Sequence, residues 1–425
     1  MSETEKTIVT DSASGEMESF GINKMLLTAL AAGLIGILST SAMYNPAAPP
    51  AYRMPAAGAV IAAMFLLSGF RIGKFSNWRL LSLFFWTGFA LMSIVSAMNH
   101  RDPLLAELWQ LVGVPLVFFT AFPRTANRYG NIMVMSATAL AFVPYIIVSL
   151  FKYPLFFPYA GVFENSNMFG MVISTFSAAL FGLLRGSLNQ SKRTFLRTFW
   201  VVTLGLCLIA SFILITFSGS RTSFITFFLM YYLVFVGTLF FDASKHRLAL
   251  AISIIGFMMA LFYALYNAAM STYGSNIVDT LLGKFFNKIT QGDVTSGRMY
   301  IWKSALEDIQ VLGMGNSYFY EEPAHNSYIM IMATKGPLAA LFMIAVHVTT
   351  LYLAIQRLFH DIRQDGYAIG PLLLVSNFLI LGLAENVFGT LGNGINMTFL
   401  LMAGILFNGG QIRKPVNQEM ERELP

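Results

Sequence analysis

Residues 198–241 read TFWVVTLGLCLIASFILITFSGSRTSFITFFLMYYLVFVGTLFF. One helix through all of it would run about 66 Å at ~1.5 Å per residue, twice the ~30 Å hydrocarbon thickness of a bilayer. The run is apolar throughout except at Ser218-Gly219-Ser220-Arg221, a turn signal at its centre. The segment therefore reads as two membrane spans, 198–217 and 221–241, folded back on each other at a polar corner.

Working outward, the same reading recurs along the chain. Hydrophobic residues make up 56% of the sequence and charged residues 11%, and the mean hydropathy is +0.64. A soluble domain carries about 25% charge. Apolar windows of span length are expected near 24–43, 54–70, 80–98, 104–122, 131–151, 166–184, 198–217, 221–241, 248–268, 326–356, 368–387 and 391–408. The tenth is over-long and is expected to break at Gly336-Pro337. The fold class is an all-α polytopic membrane protein of about 12 transmembrane helices. Continuous rather than alternating apolar runs argue against a β-barrel.

The pattern divides the chain into a polar N-terminal tail (1–23), spans one to nine (24–268), a polar excursion (269–325), spans ten to twelve (326–408) and a C-terminal tail (409–425). With the N-terminus inside, only nine basic residues fall outside: Arg53, Arg101, Lys152, Arg221, Lys284, Lys288, Arg298, Lys303 and Lys335. The other 18 of the 27 Lys and Arg lie inside. The positive-inside rule thus places both termini in the cytoplasm and the excursion on the far side. The net charge of +6 follows from this asymmetry, and no basic patch with interleaved aromatics points to nucleic acid. The polar first 20 residues argue against a cleavable signal peptide. The single cysteine, Cys207, excludes an intramolecular disulfide and a cysteine metal site.

The excursion has its own pattern. Apolar positions from Ile277 to Ile289 recur at helical spacing over 275–290, as in an amphipathic interfacial helix. A second helix is expected to start after Ser296, capped by Thr295 or Ser296, and to stop at Gly313. Arg298 then sits in its first turn, where free backbone N–H groups and a guanidinium together favour an anion. His325 closes the excursion, and Arg221 stands at the corner between the spans quoted above. Arginines hold phosphate oxygens bidentately, and a neutral histidine takes a proton from a hydroxyl near neutral pH. Such a set suits a reaction in which a diphosphate leaves. With arginines carrying the leaving-group charge, neither a metal nor a cofactor is needed.

Ser218-Gly219-Ser220-Arg221, Gly297-Arg298 with Trp302, Gly313-Met314-Gly315 and Ala324-His325-Asn326-Ser327-Tyr328, in this order, resemble the O-antigen ligase and polysaccharide polymerase superfamily. The resemblance is densest over 218–340. It implies a metal-independent, inverting glycosyltransferase of a bacterial inner membrane, with its large loop in the periplasm. The donor it implies is an undecaprenyl-diphosphate-linked glycan, and the acceptor is lipid A core or a second lipid-linked glycan. A chain-length regulator and a flippase of the same pathway are the implied partners. Carried over by motif, Arg221 and Arg298 hold the donor diphosphate and His325 is the general base.

Each assignment has a structural rival. Arg221 as a snorkelling anchor, Arg298 as a solvated loop residue and His325 as a helix-start cap are the plain alternatives. Asn165 and Asn167 are candidate glycan contacts, against a capping role. Asn326 is a further such candidate, as is Glu385 near the end of the eleventh span, where water is close. His347 reads as a packed neutral histidine, and His100, His246 and His360 as loop or interface residues. Lys284, Lys288 and Lys303 read as headgroup contacts. A lipid-linked oligosaccharide flippase or other transporter is the competing function class, and a non-catalytic scaffold is the third.

Overall fold

Long apolar stretches free of charge leave the backbone no partner but itself in a lipid-like setting, so they fold as helices. The computed structural model describes residues 3–43, 50–69, 77–126, 129–189, 194–241, 252–256, 258–260, 298–319, 323–362, 365–388 and 393–408. The described residues are almost entirely helical, and among them two residues, Met43 and Phe163, form an isolated bridge rather than a strand.

The helices are α1 (Glu3–Ser39), α2 (Pro50–Leu67), α3 (Asn77–His100), α4 (Leu105–Ala126), α5 (Gly130–Lys152), α6 (Ser166–Asn189), α7 (Phe195–Ser218), α8 (Arg221–Phe241), α9 (Arg298–Glu307), α10 (Ser327–Lys335), α11 (Pro337–Asp361), α12 (Gly366–Ala384) and α13 (Gly394–Phe407). Among the described residues nine helices are long and apolar enough to cross a membrane. The split at Ser218–Arg221 is present: α7 ends on Gly219 in the left-handed conformation (φ 68°), and α8 starts at Arg221. Of the expected span 248–268, only 252–256 and 258–260 are described, and both pieces are helical. The expected amphipathic helix 275–290 lies outside the described residues.

α6 is the central helix, with 83% of its span window buried. It packs against α5, α7, α8 and α12. Lipid tails are as apolar as leucine, so close van der Waals fit and interhelical hydrogen bonds hold such bundles together. Both are present. A methyl group on Gly170 would meet Ser220 Cβ at 2.6 Å, and one on Gly182 would meet the Cα of Gly370 at 3.1 Å. At mid-bundle, Ser174 Oγ donates to Asn377 Oδ1 (2.6 Å) and Asn377 Nδ2 to Thr175 Oγ1 (3.0 Å), tying α6 to α12. α13 is about 21 Å long, shorter than the ~30 Å hydrocarbon thickness, and all its residues are buried. It is a core piece enclosed by protein.

The expected break at Gly336-Pro337 separates α10 from α11. Gly336 has φ 93°, and a Cβ there would lie 2.3 Å from the Val311 carbonyl oxygen. The Gly313-Met314-Gly315 segment fills this notch. Met314 N donates to Ala333 O (2.8 Å) and Gly315 N to Thr334 O (3.1 Å). His100 Nε2 bonds Gly313 O (2.9 Å), and Asn316 N donates to Asp102 Oδ2 (2.8 Å). The second loop helix was expected to continue to Gly313; α9 stops at Glu307 instead. The backbone after it is recruited to the notch, and helical hydrogen bonding there would forfeit those contacts. Lys335, at the end of α10, is buried and paired with Glu107 of α4 at 2.6 Å.

Candidate functional site

A helix C-terminus leaves carbonyls without intrahelical donors. At the end of α12 side chains from two distant segments supply them. Asn326 Nδ2 donates to Leu383 O (3.0 Å), Arg298 Nη1 to Ala384 O (2.6 Å) and Ser327 Oγ to Glu385 O (3.0 Å). A cation at this position also complements the helix dipole. Ser327 Oγ in turn accepts from the amides of Val387 (3.0 Å) and Phe388 (3.2 Å), which fixes the turn after the helix.

Glu385 is the first residue beyond α12 and is only 9% exposed. A buried carboxylate requires polar partners, and it has three. Oε1 accepts from Arg298 Nη2 and from Asn167 Nδ2, each at 3.2 Å. Oε2 lies 2.8 Å from His325 Nδ1. Arg298 and His325 come from the two ends of the described loop and meet on one carboxylate. The His325 side chain remains 37% exposed, so the imidazole is open to a substrate while its Nδ1 is held.

His325 has φ 48°, one of two non-glycine residues among the described ones in this region, with Arg101 the other. Such strain costs on the order of 1–3 kcal/mol and persists only where neighbours enforce it. Here the enforcement is explicit. Trp302 Nε1 donates to Ala324 O (2.7 Å) on one side, and Asn326 N donates to Asn386 Oδ1 (3.1 Å) on the other.

The other expected site residues fall into place around this core. The helix-start cap is Asn326, not His325: its Oδ1 accepts from Tyr328 N (2.9 Å) and Ile329 N (3.1 Å). With its amide committed as well, Asn326 is spent on the fold. Asn165 Oδ1 accepts from Met168 N (2.8 Å), so it caps α6. Asn167 reaches Glu385. Glu385 sits inside a hydrogen-bonded cluster rather than at the watery span end expected for it. Arg221 opens α8 at the same end of the bundle, where its serine corner packs on Gly170, one turn along α6 from Asn167. The three side chains on the Glu385 carboxylate do not include Arg221. Lys303 is exposed and 3.7 Å from Glu307, and Lys284 and Lys288 lie outside the described residues.

Beside the cluster, α9 and Ile329 of α10 enclose a groove of about 520 Å³, lined by Met299, Tyr300, Trp302, Lys303, Leu306 and Glu307. Against Tyr328 of α10, His347 is buried edge-on among that ring, Phe378, Phe388 and Phe399, with centroids 5.0–5.6 Å away. It is the packed histidine expected there. Among the described residues no group of His, Cys, Asp and Glu is arranged to hold a metal ion. Sequence reading missed Asn386, Ser327 and the Glu107–Lys335 pair, since each contact spans 58 or more residues. The one available signal was the density of Asn, Ser and Glu at the ends of apolar runs.

No protein-family model matches this chain, and a search of curated proteins finds no significant match.

Proposed function

We propose that this protein transfers an undecaprenyl-diphosphate-linked oligo- or polysaccharide to an acceptor hydroxyl, as a ligase or polymerase of a bacterial surface polysaccharide. On this reading it spans the inner membrane twelve times, with both termini cytoplasmic and the Glu385 end periplasmic. One observation carries the proposal: Arg298 and His325, the anion-binding and proton-accepting residues marked out in the sequence, converge on one buried carboxylate at the end of the bundle.

The chemistry follows from the groups present. A guanidinium offers five N–H donors, and Arg298 uses two on Ala384 and Glu385, leaving others for a diphosphate oxygen. Arg221 supplies a second guanidinium from the serine corner. The acceptor hydroxyl gives its proton to His325 as its oxygen forms a bond to the anomeric carbon. The bond from that carbon to the diphosphate oxygen breaks, and undecaprenyl diphosphate leaves with the electron pair, its charge met by the arginines. Attack opposite the leaving group inverts the anomeric centre. The largely apolar groove beside α9 offers room for hydrocarbon next to this site.

The second reading, a lipid-linked oligosaccharide flippase or other transporter, draws on the break at Gly336 and the buried Lys335–Glu107 pair. Broken helices and buried charges are common in transporters. A reconstituted assay separates the two. Purified protein in proteoliposomes receives an undecaprenyl-diphosphate oligosaccharide and either lipid A core or more donor as acceptor. Transfer to lipid A core marks a ligase, and lengthened lipid-linked chains mark a polymerase. Either product should vanish in His325→Ala and Arg298→Ala. Movement of the donor across the bilayer with no transfer establishes the transport reading instead.

A further inference from the structure

The two oxygens of Glu385 are not equivalent. Oε1 receives two donors, Arg298 Nη2 and the Asn167 amide, while Oε2 faces one partner, His325 Nδ1. Arg298 is itself fixed by its bond to Ala384 O (2.6 Å). Asn167 is in the first turn of α6, the most enclosed span helix. The carboxylate is thus held in one orientation by groups that cannot accept a proton from it. Its second oxygen faces the histidine and can only accept, which requires Nδ1 to carry the hydrogen.

We propose that Glu385 is the positioning residue of this site, setting the tautomer of His325 so that its Nε2 lone pair is presented to the acceptor hydroxyl. Asn167 and Arg298 orient the carboxylate for this role. The inference rests on the transfer reaction proposed above for its catalytic consequence, but the tautomer itself is a property of the resting protein. In the reaction, the acceptor proton moves to Nε2 while Nδ1–H stays bonded to Oε2. The imidazolium so formed lies against the carboxylate, which stabilises it and takes no proton. The charged groups facing His325 among the described residues are Glu385 and, through it, Arg298.

The asymmetry makes a specific demand on Glu385→Gln, a variant of nearly equal volume. The amide oxygen of the glutamine is drawn to the Oε1 position, where Arg298 and Asn167 both donate. Its NH₂ then faces His325 Nδ1 and donates to it. The histidine is forced into the Nε2–H form and loses the lone pair the acceptor needs. Glu385→Asp is one methylene shorter and keeps the acceptor character, so it should restore part of the rate.

The test combines kinetics with ¹⁵N NMR of histidine-labelled protein in nanodiscs. The chain has five histidines, and His325→Gln assigns the resonance. The expected result is Nδ1–H in the wild type and Nε2–H in Glu385→Gln, with kcat falling about 10²-fold or more, the scale of general-base catalysis. KM for the donor should move little, since Arg298 keeps its bond to Ala384. Glu385→Asp should recover at least part of kcat. An unchanged tautomer in Glu385→Gln, or a loss confined to KM, overturns the proposal. If the wild type transfers no glycan, the functional reading falls, while the tautomer comparison still decides the role of Glu385.

Discussion

Arg298 illustrates how much a single side chain does at this site. Its guanidinium closes the end of α12 through Ala384 O and pairs with Glu385 through a different nitrogen. An ammonium has neither the fork nor the reach to do both. Arg298→Lys is therefore expected to lower kcat by about 10²–10³-fold, the range seen on removing one preorganised donor from a developing charge. Lys303→Ala, at an exposed position outside the Glu385 cluster and ion-paired with Glu307 of its own helix, should leave kcat unchanged. Arg221→Lys is expected to raise donor KM, because Arg221 is not on the Glu385 carboxylate and its role in the proposal is to hold diphosphate. Initial rates over a donor concentration series check all three. Arg298 and His325 were legible in the sequence because one stands in the first turn of a loop helix, where an anion is favoured, and the other closes the polar excursion just before a span. The role of Glu385 was not legible, because its partners lie 60, 87 and 218 residues away. That Asn326 rather than His325 caps α10 was hidden for a related reason: capping geometry depends on where a helix begins, and one residue decides it.

At the scale of elements, the notch between α10 and α11 links the loop to the spans. The glycines on its two sides meet backbone to backbone: a Cβ on Gly313 would lie 2.3 Å from Thr334 O, and one on Gly336 the same distance from Val311 O. Both also have positive φ, which a side chain strains by on the order of 1–3 kcal/mol. Gly336→Ala should therefore lower the unfolding midpoint and displace α10, and with it the Asn326 and Ser327 contacts to α12. A thermal unfolding series on detergent-solubilised protein measures it. The Lys335–Glu107 pair sets a second test. Lys335→Met alone strands a buried carboxylate and should cost about 3–5 kcal/mol, whereas adding Glu107→Leu should recover most of that loss. If the double variant is no more stable than the single, the pair is not the coupled ion pair its 2.6 Å contact indicates. The break itself was readable from Gly-Pro, since proline lacks the amide a continuous helix needs. The end of α9 was not, because the backbone at 311–315 leaves helical form for partners on α10 and α3 that no local pattern shows.

For the molecule as a whole, the all-helical, multi-span character was legible because hydropathy and length are set by the bilayer rather than by tertiary contacts, although nine helices among the described residues, not the expected twelve, are long and apolar enough to cross. α13 shows the limit of that argument. Its composition matches a span, but it is short and wholly buried, which depends on the helices around it. Orientation is a separate question, for which the proposal relies on basic-residue asymmetry. The chain allows a direct test, because its only cysteine, Cys207, lies within α7. One substitution, Cys207→Ala, gives a cysteine-free background. Val311 is 76% exposed, in the loop segment that fills the notch between α10 and α11. Thr194 is also exposed and caps α7 at the opposite end of the bundle from the Ser218–Arg221 corner. In intact spheroplasts, a membrane-impermeant maleimide should label Val311→Cys and spare Thr194→Cys, and both should react once the membrane is permeabilised. The reverse pattern would put Glu385, His325 and Arg298 on the cytoplasmic face. A periplasmic glycan transfer would then be impossible however well the site is built for it, because donor and acceptor would never meet these residues.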